Sequence, residues 1–392
     1  MKSSMFPAVY MDYQASTPVD PRVLDAMLPY FIDRPGNPHA ADHSMGWEGQ
    51  VAIEKATQKM AKSICADADE IIFTSGATEA NNLFIIGAAI NARNKKRKKI
   101  VVSAIEHKSV LDAAFYAAEL FDFEIKVIPV DSLGIIDFDF LQRVIDENVL
   151  LVSIASVNNE IGTIQNIKGI SLLCEKYGVL LHSDSVHLAL SSNIEVEELG
   201  VDAISISAHK IYGPKGVGVL YLNRRAQSRI SPLFSGGGQQ KGLRPGTLPV
   251  GLCVGIGEAI SFLVGTTAAQ ERQHIRHMRD RLILGFRSFY PTLRVNGAGG
   301  DLGHPGNANI CFVGLDAHAL LGSLQPHLAA STGSACTSGQ IGVSHVLSAI
   351  GLSEFEAQSC IRFSIGRFTT DGDIDRALEL VADAVHQAIT LT

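Results

Sequence analysis

No apolar run in this chain approaches the roughly 18 residues of a membrane span, and no pair of cysteines has C-x-x-C spacing. The first lack argues against a helical membrane protein. The second removes the commonest zinc and disulfide frameworks. The six cysteines, at 65, 174, 253, 311, 336 and 360, lie in dissimilar contexts, so no metal site is expected. A formal net charge of −7 argues against general binding of nucleic acid or anionic membrane. The opening MKSSMFPAVYMDYQ lacks the long apolar stretch of a secretory signal, which leads us to expect a cytoplasmic protein. Repeats are absent too.

What is present is the composition of a globular protein, 46% hydrophobic and 19% charged over 392 residues. That length exceeds a usual single core, so one large and one smaller domain are expected. Apolar, β-branched runs alternate with helical patterns: EIIFTS (70–75), KIVVSAI (99–105), LLVSIASV (150–157), VLLHSD (179–184), AISIS (203–207) and VGVLYL (217–222). Strands apolar throughout imply a mainly parallel sheet covered by helices on both faces, an α/β fold. The pattern changes after a helix candidate near 251–264. Residues 16–264 are therefore expected to form the large domain, and 1–15 with 265–392 a smaller α+β domain.

In such a sheet ligands bind at the carboxyl ends of the strands, so the polar residues that follow each strand are the candidates. Lys210, in SAHKIYGPKG (207–216), follows AISIS, and Asp184 ends LLHSD. A lysine amine and a carboxylate so placed suit pyridoxal 5'-phosphate: the amine takes the aldehyde and the carboxylate keeps the pyridine nitrogen protonated. TSGATEANN (74–82) follows the first strand, and Ala77 and Thr78 open a helix whose free amides suit a phosphate. A plain capped helix start is the blander reading. Ser207 and His209 could complete a phosphate cup. His107, in SAIEHKSV, could stack on a ring or be a satisfied buried histidine. Asn159, in SVNNEIG, could bind a ring hydroxyl or substrate or be a turn asparagine. His187 shares the strand end of Asp184.

Cys336 stands apart in STGSACTSG, a small, polar, glycine-bearing segment. Exposure and access to a thiolate are what a nucleophilic sulfur needs. Cys174, Cys253 and Cys311 sit among apolar residues as core fillers, and Cys65 and Cys360 are expected to be structural.

The set TSGATE, EHK, VNNEIG, SAHKIYGPKG, RPGTLP, GSACTS and IRFSIGRFT, in this order from residue 74 to 369, closely resembles the cysteine desulfurases of the IscS/NifS type. Those enzymes belong to the class V aminotransferase superfamily and have the type I pyridoxal phosphate fold. The resemblance covers nearly the whole chain, from MDYQASTPVDPRV onward. It implies Lys210 as the Schiff-base lysine and Cys336, on a mobile loop, as the sulfur acceptor. It implies Ala77, Thr78, Ser207 and His209 around the phosphate, with Thr247 reaching the cofactor phosphate of the other subunit of a homodimer. His107 would stack on the ring and help move protons, Asp184 would meet the ring nitrogen, Asn159 would lie beside cofactor and substrate, and Arg362 would bind the carboxylate of L-cysteine. The expected products are alanine and a persulfide on Cys336, passed to an acceptor protein of iron–sulfur cluster assembly, tRNA thiolation or DNA phosphorothioation. A selenocysteine lyase or another class V enzyme would share Lys210 and Asp184 without needing Cys336. A sulfur-relay scaffold without catalysis would bind no cofactor.

Two departures from that family stand out. Asp184-Ser-Val-His187 replaces a D-A-T-Q pattern whose glutamine donates to the ring's phenolic oxygen. His187 in that place leads us to expect an altered cofactor spectrum that titrates near neutrality. The chain also ends soon after its last helix, without the tail many relatives use to bind the iron–sulfur scaffold. The basic run RNKKRKK (93–99) is expected to be a solvated connection, with docking of an acidic acceptor as the sharper option.

Overall fold

A computed structural model describes residues 8–332 and 343–391. In chain order its strands are β1 (Val9–Tyr10), β2 (Ile71–Thr74), β3 (Lys99–Ser103), β4 (Glu124–Ile128), β5 (Val149–Ser153), β6 (Leu180–Asp184), β7 (Ala203–Ser207), β8 (Gly218–Leu222), β9 (Arg294–Asn296), β10 (Asn307–Cys311), β11 (Leu328–Ala329) and β12 (Cys360–Ser364). Seven of them form one sheet in the order β2-β8-β7-β6-β5-β3-β4.

Pairing in this sheet is parallel except at β8, which runs antiparallel to both β2 and β7. The reason is length. Only residues 208–217 join β7 to β8, too few for the crossover a parallel return requires. Successive side chains alternate between faces, and here both faces are covered. Phe73, Val101, Val152, Leu181 and Val219 point into one apolar core, while Ile72, Val102, Leu151, Leu180 and Leu220 point into another under the helices Ala77–Ala92 and Lys108–Phe121. This is why the strands read as unbroken apolar runs. β4 is the exception: Glu124 and Val127 are exposed on this edge strand, and nothing in its sequence marked it as one.

A second sheet, β12-β10-β9, is antiparallel. Ile310, Phe312, Ile361 and Phe363 bury one face against the helices Gly265–Phe289 and Asp371–Leu391. Val9 and Met11 pack into the same core, next to a short parallel pairing of β1 with β11. The opposite face carries Asn307, Asn309, Arg362 and Ser364, beside a small apolar cluster in which Cys311 and Cys360 meet Ile105, Ile161, Val346 and Leu347.

Much of the basic run is spent within the fold: Lys99 pairs with Asp146 at 2.6 Å and Lys95 donates to Asn91 Oδ1 at 2.6 Å. Arg97 donates to the carbonyls of Val149 and Tyr177, and Lys98 to that of Phe121. Among the described residues no single helix is long and apolar enough to cross a membrane.

Candidate active site

At the carboxyl ends of the parallel strands lies a cavity of about 500 Å³. Ala77, Thr78, His107, Asn159, Asp184, His187, Ser207, His209, Lys210 and Arg362 all line it. The fold thus gathers residues spread over nearly 300 positions into one space. Thr247 is exposed and stands outside this lining, and Cys336 lies outside the described residues.

The strand β2 delivers Ser75 and Gly76 to the cavity, and the helix Ala77–Ala92 begins there. Its first amide groups have no intrahelical acceptor and make that edge attractive to an anion. Close approach is built in: a Cβ on Gly218 would stand 2.6 Å from the Cα of Gly76, so only glycine lets β8 press against this turn. Glu79 anchors it, accepting from the Ser75 amide at 2.7 Å and pairing with Arg244 at 2.7 Å. Ser207 and His209, at the end of β7, face the same edge. His209 is held neutral, its pKa pushed down to about 4 by burial and then by Lys210 and Lys215.

Lys210 follows β7 on a short 3-10 turn. Its Nζ donates to the carbonyl oxygens of Gln14 at 2.6 Å and Ala15 at 2.9 Å. Asp184, at the end of β6, accepts from Asn81 Nδ2 at 2.9 Å and from the Val186 amide at 3.2 Å. Both donors are neutral. A carboxylate 7% exposed, with no ion-pair partner among the described residues, is suited to a cationic group delivered by a ligand.

His107 caps the helix Lys108–Phe121, its Nδ1 accepting from the Ser109 amide at 3.1 Å. Asn81 then bridges Ser109 Oγ to Asp184, so one amide side chain fixes both the histidine's cap and the acid. Glu106 beneath is fully buried, accepting from Ser103 Oγ and the Ala155 amide. Burial pushes its carboxyl up to about 8, so it is largely protonated at neutral pH.

Arg362 comes from the polar face of β12. Its Nη2 pairs with Asp12 at 2.9 Å and its Nη1 donates to the Asn159 carbonyl at 2.8 Å. Nε is buried with no partner, and each Nη keeps a second N–H. A planar cation with donors to spare suits a carboxylate.

His187 corrects the sequence reading. Burial, reinforced by the charge of Lys210, holds its pKa well below the ordinary histidine value, so the ring is neutral and does not titrate near neutrality. Its Nδ1 is enclosed without a partner. The ring of His304 meets it edge-on at 6.1 Å. Because His304 Nδ1 accepts from the Gly306 amide at 3.0 Å, a neutral His304 carries its proton on Nε2, an atom likewise buried and unpartnered.

Sequence reasoning did not find Asp12, Gln14, Asn81, Glu106 or His304. Asp12 meets Arg362 across 350 residues, and Gln14 serves Lys210 through its own backbone carbonyl, contacts that leave no local signal.

The residues present fit pyridoxal 5'-phosphate: an amine, an acid awaiting a cation, a helix N-terminus for the phosphate and an unsatisfied guanidinium share one cavity. Comparison with known proteins agrees. The family profile described as Aminotransferase class-V matches residues 9–377. The chain is similar to "Cysteine desulfurase IscS" of Rickettsia prowazekii, with 45% identity over 379 residues covering 97% of this chain and 91% of the relative. Among solved structures, a "NifS-like protein" superposes with a TM-score of 0.89 at 33% identity, covering 97% of this chain and all of the other. One described as "SspA in complex with cysteine" gives a TM-score of 0.81 at 34% identity, covering 92% of this chain and 99% of the other.

Proposed function

This chain belongs to the class V aminotransferase family, and from that premise we propose that it is a pyridoxal phosphate-dependent cysteine desulfurase in which Lys210 holds the cofactor and Cys336 takes the sulfur. The observation that carries the assignment is the shared cavity of Lys210 and Asp184, with Arg362 on its wall.

Bound pyridoxal phosphate supplies a ring that withdraws negative charge from the substrate α-carbon. The chain's residues supply the rest. Ala77, Thr78, Ser207 and His209 would receive the phosphate. Asp184, oriented by Asn81 and the Val186 amide, would hold the positive charge on the ring nitrogen. His107 would cover the ring, and the neutral His187 would offer it one hydrogen bond.

Arg362, braced by Asp12 and the Asn159 carbonyl, takes the carboxylate of L-cysteine and sets its sulfur toward the approach of Cys336. The Lys210 amine moves the proton at the α-carbon, with the Gln14 and Ala15 carbonyls fixing its position. The Cys336 thiolate attacks the sulfur of L-cysteine, an S–S bond forms as the Cβ–S bond breaks, and the β-carbon takes a proton, so that L-cysteine and one enzyme thiol become L-alanine and one enzyme persulfide. Thr247, exposed and outside this cavity, serves the cofactor of a second copy in a homodimer. The persulfide then passes to an acceptor protein.

The test is Cys336→Ser in the cofactor-loaded enzyme. It retains the cofactor and binds cysteine but forms neither alanine nor persulfide. Alanine production at the parent rate overturns the assignment of the nucleophile.

A further inference from the structure

Two cysteines that this reaction does not use face each other in the second sheet. Cys311 and Cys360 are direct partners across β10 and β12. The Phe312 amide donates to the Ser359 carbonyl at 2.9 Å, so the adjoining pair is the hydrogen-bonded one and the cysteines occupy a non-hydrogen-bonded position. Cα atoms there stand about 4.5 Å apart, within the range of about 4.4–6.8 Å that a disulfide spans. Both sulfurs donate to the same acceptor, the Glu356 carbonyl, at 3.4 and 3.2 Å, which holds them side by side.

Cys311 and Cys360 are as buried as the other core thiols, 0% and 1% exposed, but unlike them they lie beside a charged side chain, and Cys360 lines a small cavity. Cys174 and Cys253 are pushed up to about 12 by burial, which makes them inert. Cys311 is drawn down by the Cys360 thiol and, against the effect of its burial, by Arg294, whose Nη2 lies 3.9 Å from its sulfur. The neighbouring sulfur and burial push Cys360 up. A thiol made more acidic beside a second thiol is the arrangement of a reactive pair. The pair lies just beneath the Arg294–Glu356 ion pair, whose side chains are 49% and 29% exposed; a surface bridge of this kind opens at little cost.

We propose that Cys311 and Cys360 form a redox-active dithiol, which a low-molecular-weight disulfide such as cystine or oxidised glutathione converts to a cross-strand bridge that weakens substrate binding at Arg362. The Cys311 thiolate attacks one sulfur of the small disulfide, whose S–S bond breaks and releases the first small thiol. Cys360, losing its proton, then attacks the Cys311 sulfur of the mixed disulfide and displaces the second small thiol. Two electrons pass from the protein to the small disulfide, and both thiol protons leave with the two released thiols.

The link to the active site runs along one face. Cys360 and Arg362 are two residues apart on β12 and so point the same way, opposite Cys311 and Asn309. Asn296 Nδ2 donates both to Cys360 Sγ at 3.2 Å and to Asn309 Oδ1 at 2.8 Å, and Asn309 donates to the Glu160 carbonyl at 3.2 Å, next to Asn159. Closing the bridge draws the two sulfurs together to about 2.05 Å and withdraws the Cys360 acceptor from Asn296. The shift reaches Arg362 through its own strand.

The dithiol is independent of the proposed reaction; only its effect on cysteine binding rests on that reading. The test uses the full-length, cofactor-loaded Cys336→Ser protein, equilibrated with oxidised and reduced glutathione, alkylated, digested and weighed. We expect a Cys311–Cys360 linked peptide, a loss of cysteine affinity on the order of tenfold read from the cofactor absorbance, and reversal of both by dithiothreitol. Cys311→Ala and Cys360→Ala should each abolish the linkage and the affinity change. Full alkylation of both thiols after oxidation, or linkage to other cysteines, overturns the dithiol. A linked peptide with unchanged cysteine affinity overturns the coupling to Arg362. If the linkage forms but no cysteine binds in either redox state, the desulfurase reading fails and the dithiol stands.

Discussion

Glu160 offers a test whose sign and size follow from its burial. The residue is 3% exposed, accepts from Ser344 Oγ at 2.7 Å through Oε2, and leaves Oε1 without a partner. Burial raises its pKa from 4.5 to about 7, outweighing the Ser344 hydrogen bond and the charge of Arg362. The folded chain therefore holds this proton more tightly than the unfolded chain, whose glutamate titrates near 4.3. Between the two values the native state binds more protons, so stability falls as pH rises. Glu160's contribution is full below the unfolded pKa and is lost as pH climbs through about 7. At 1.36 kcal/mol per unit the rise amounts to about 3–4 kcal/mol above that range. Glu160→Gln keeps the shape and the acceptor for Ser344 while removing the ionisation. Urea unfolding of the two proteins should thus nearly coincide at about pH 4 and separate toward about pH 8.5, with the variant the more stable. Parallel curves across that interval would show that Glu160 does not ionise in the folded state as its burial implies.

Arg362→Lys removes the planar fork while keeping the charge. It should raise KM for L-cysteine on the order of tenfold, with a smaller change in kcat, as steady-state kinetics would show; an unchanged KM would separate Arg362 from the substrate carboxylate. Replacing the acid at the ring nitrogen, Asp184→Asn, should cost ten- to a hundredfold in kcat, on the order of one charge-assisted hydrogen bond. Undiminished turnover of that cofactor-loaded variant would place the ring nitrogen elsewhere. Since His187 is neutral in place, the cofactor absorbance should show no His187 titration between about pH 6 and 8. A spectral wave in that window that disappears in His187→Gln would contradict its burial.

Legibility in the sequence followed the physical origin of each feature. Strands β5 to β8 announced themselves because both of their faces are buried, which leaves no room for polar residues. β4 stayed silent because an exposed edge tolerates Glu124 and Lys126. Lys210 and Asp184 were legible because strand ends in an α/β sheet are where a ligand meets side chains, so position and residue type agree. Asp12 was not, since its partner Arg362 lies 350 residues away and only the folded chain brings them together. The charge state of His187 could not be read either: a histidine's pKa is set by its enclosure, and enclosure is a property of the fold.

The segment CIRFS shows how one strand serves the core and the site together. Ile361 and Phe363 are buried among Ile310, Phe312 and Phe286, while Cys360, Arg362 and Ser364 alternate to the other side, where Arg362 meets Asp12 and Ser364 accepts from the Gln14 amide at 2.9 Å. Because side chains alternate with a period of two, a slip of one residue in the β10–β12 register would drive Arg362 into the aromatic core and bring Phe363 to the cavity. Burying an unpaired guanidinium is far costlier than anything such a slip could gain. The apolar residues on one face of β12 thereby fix the aim of the arginine on the other. Polar substitution at Phe363 should accordingly impair cysteine binding as well as stability, although its ring never faces the cavity.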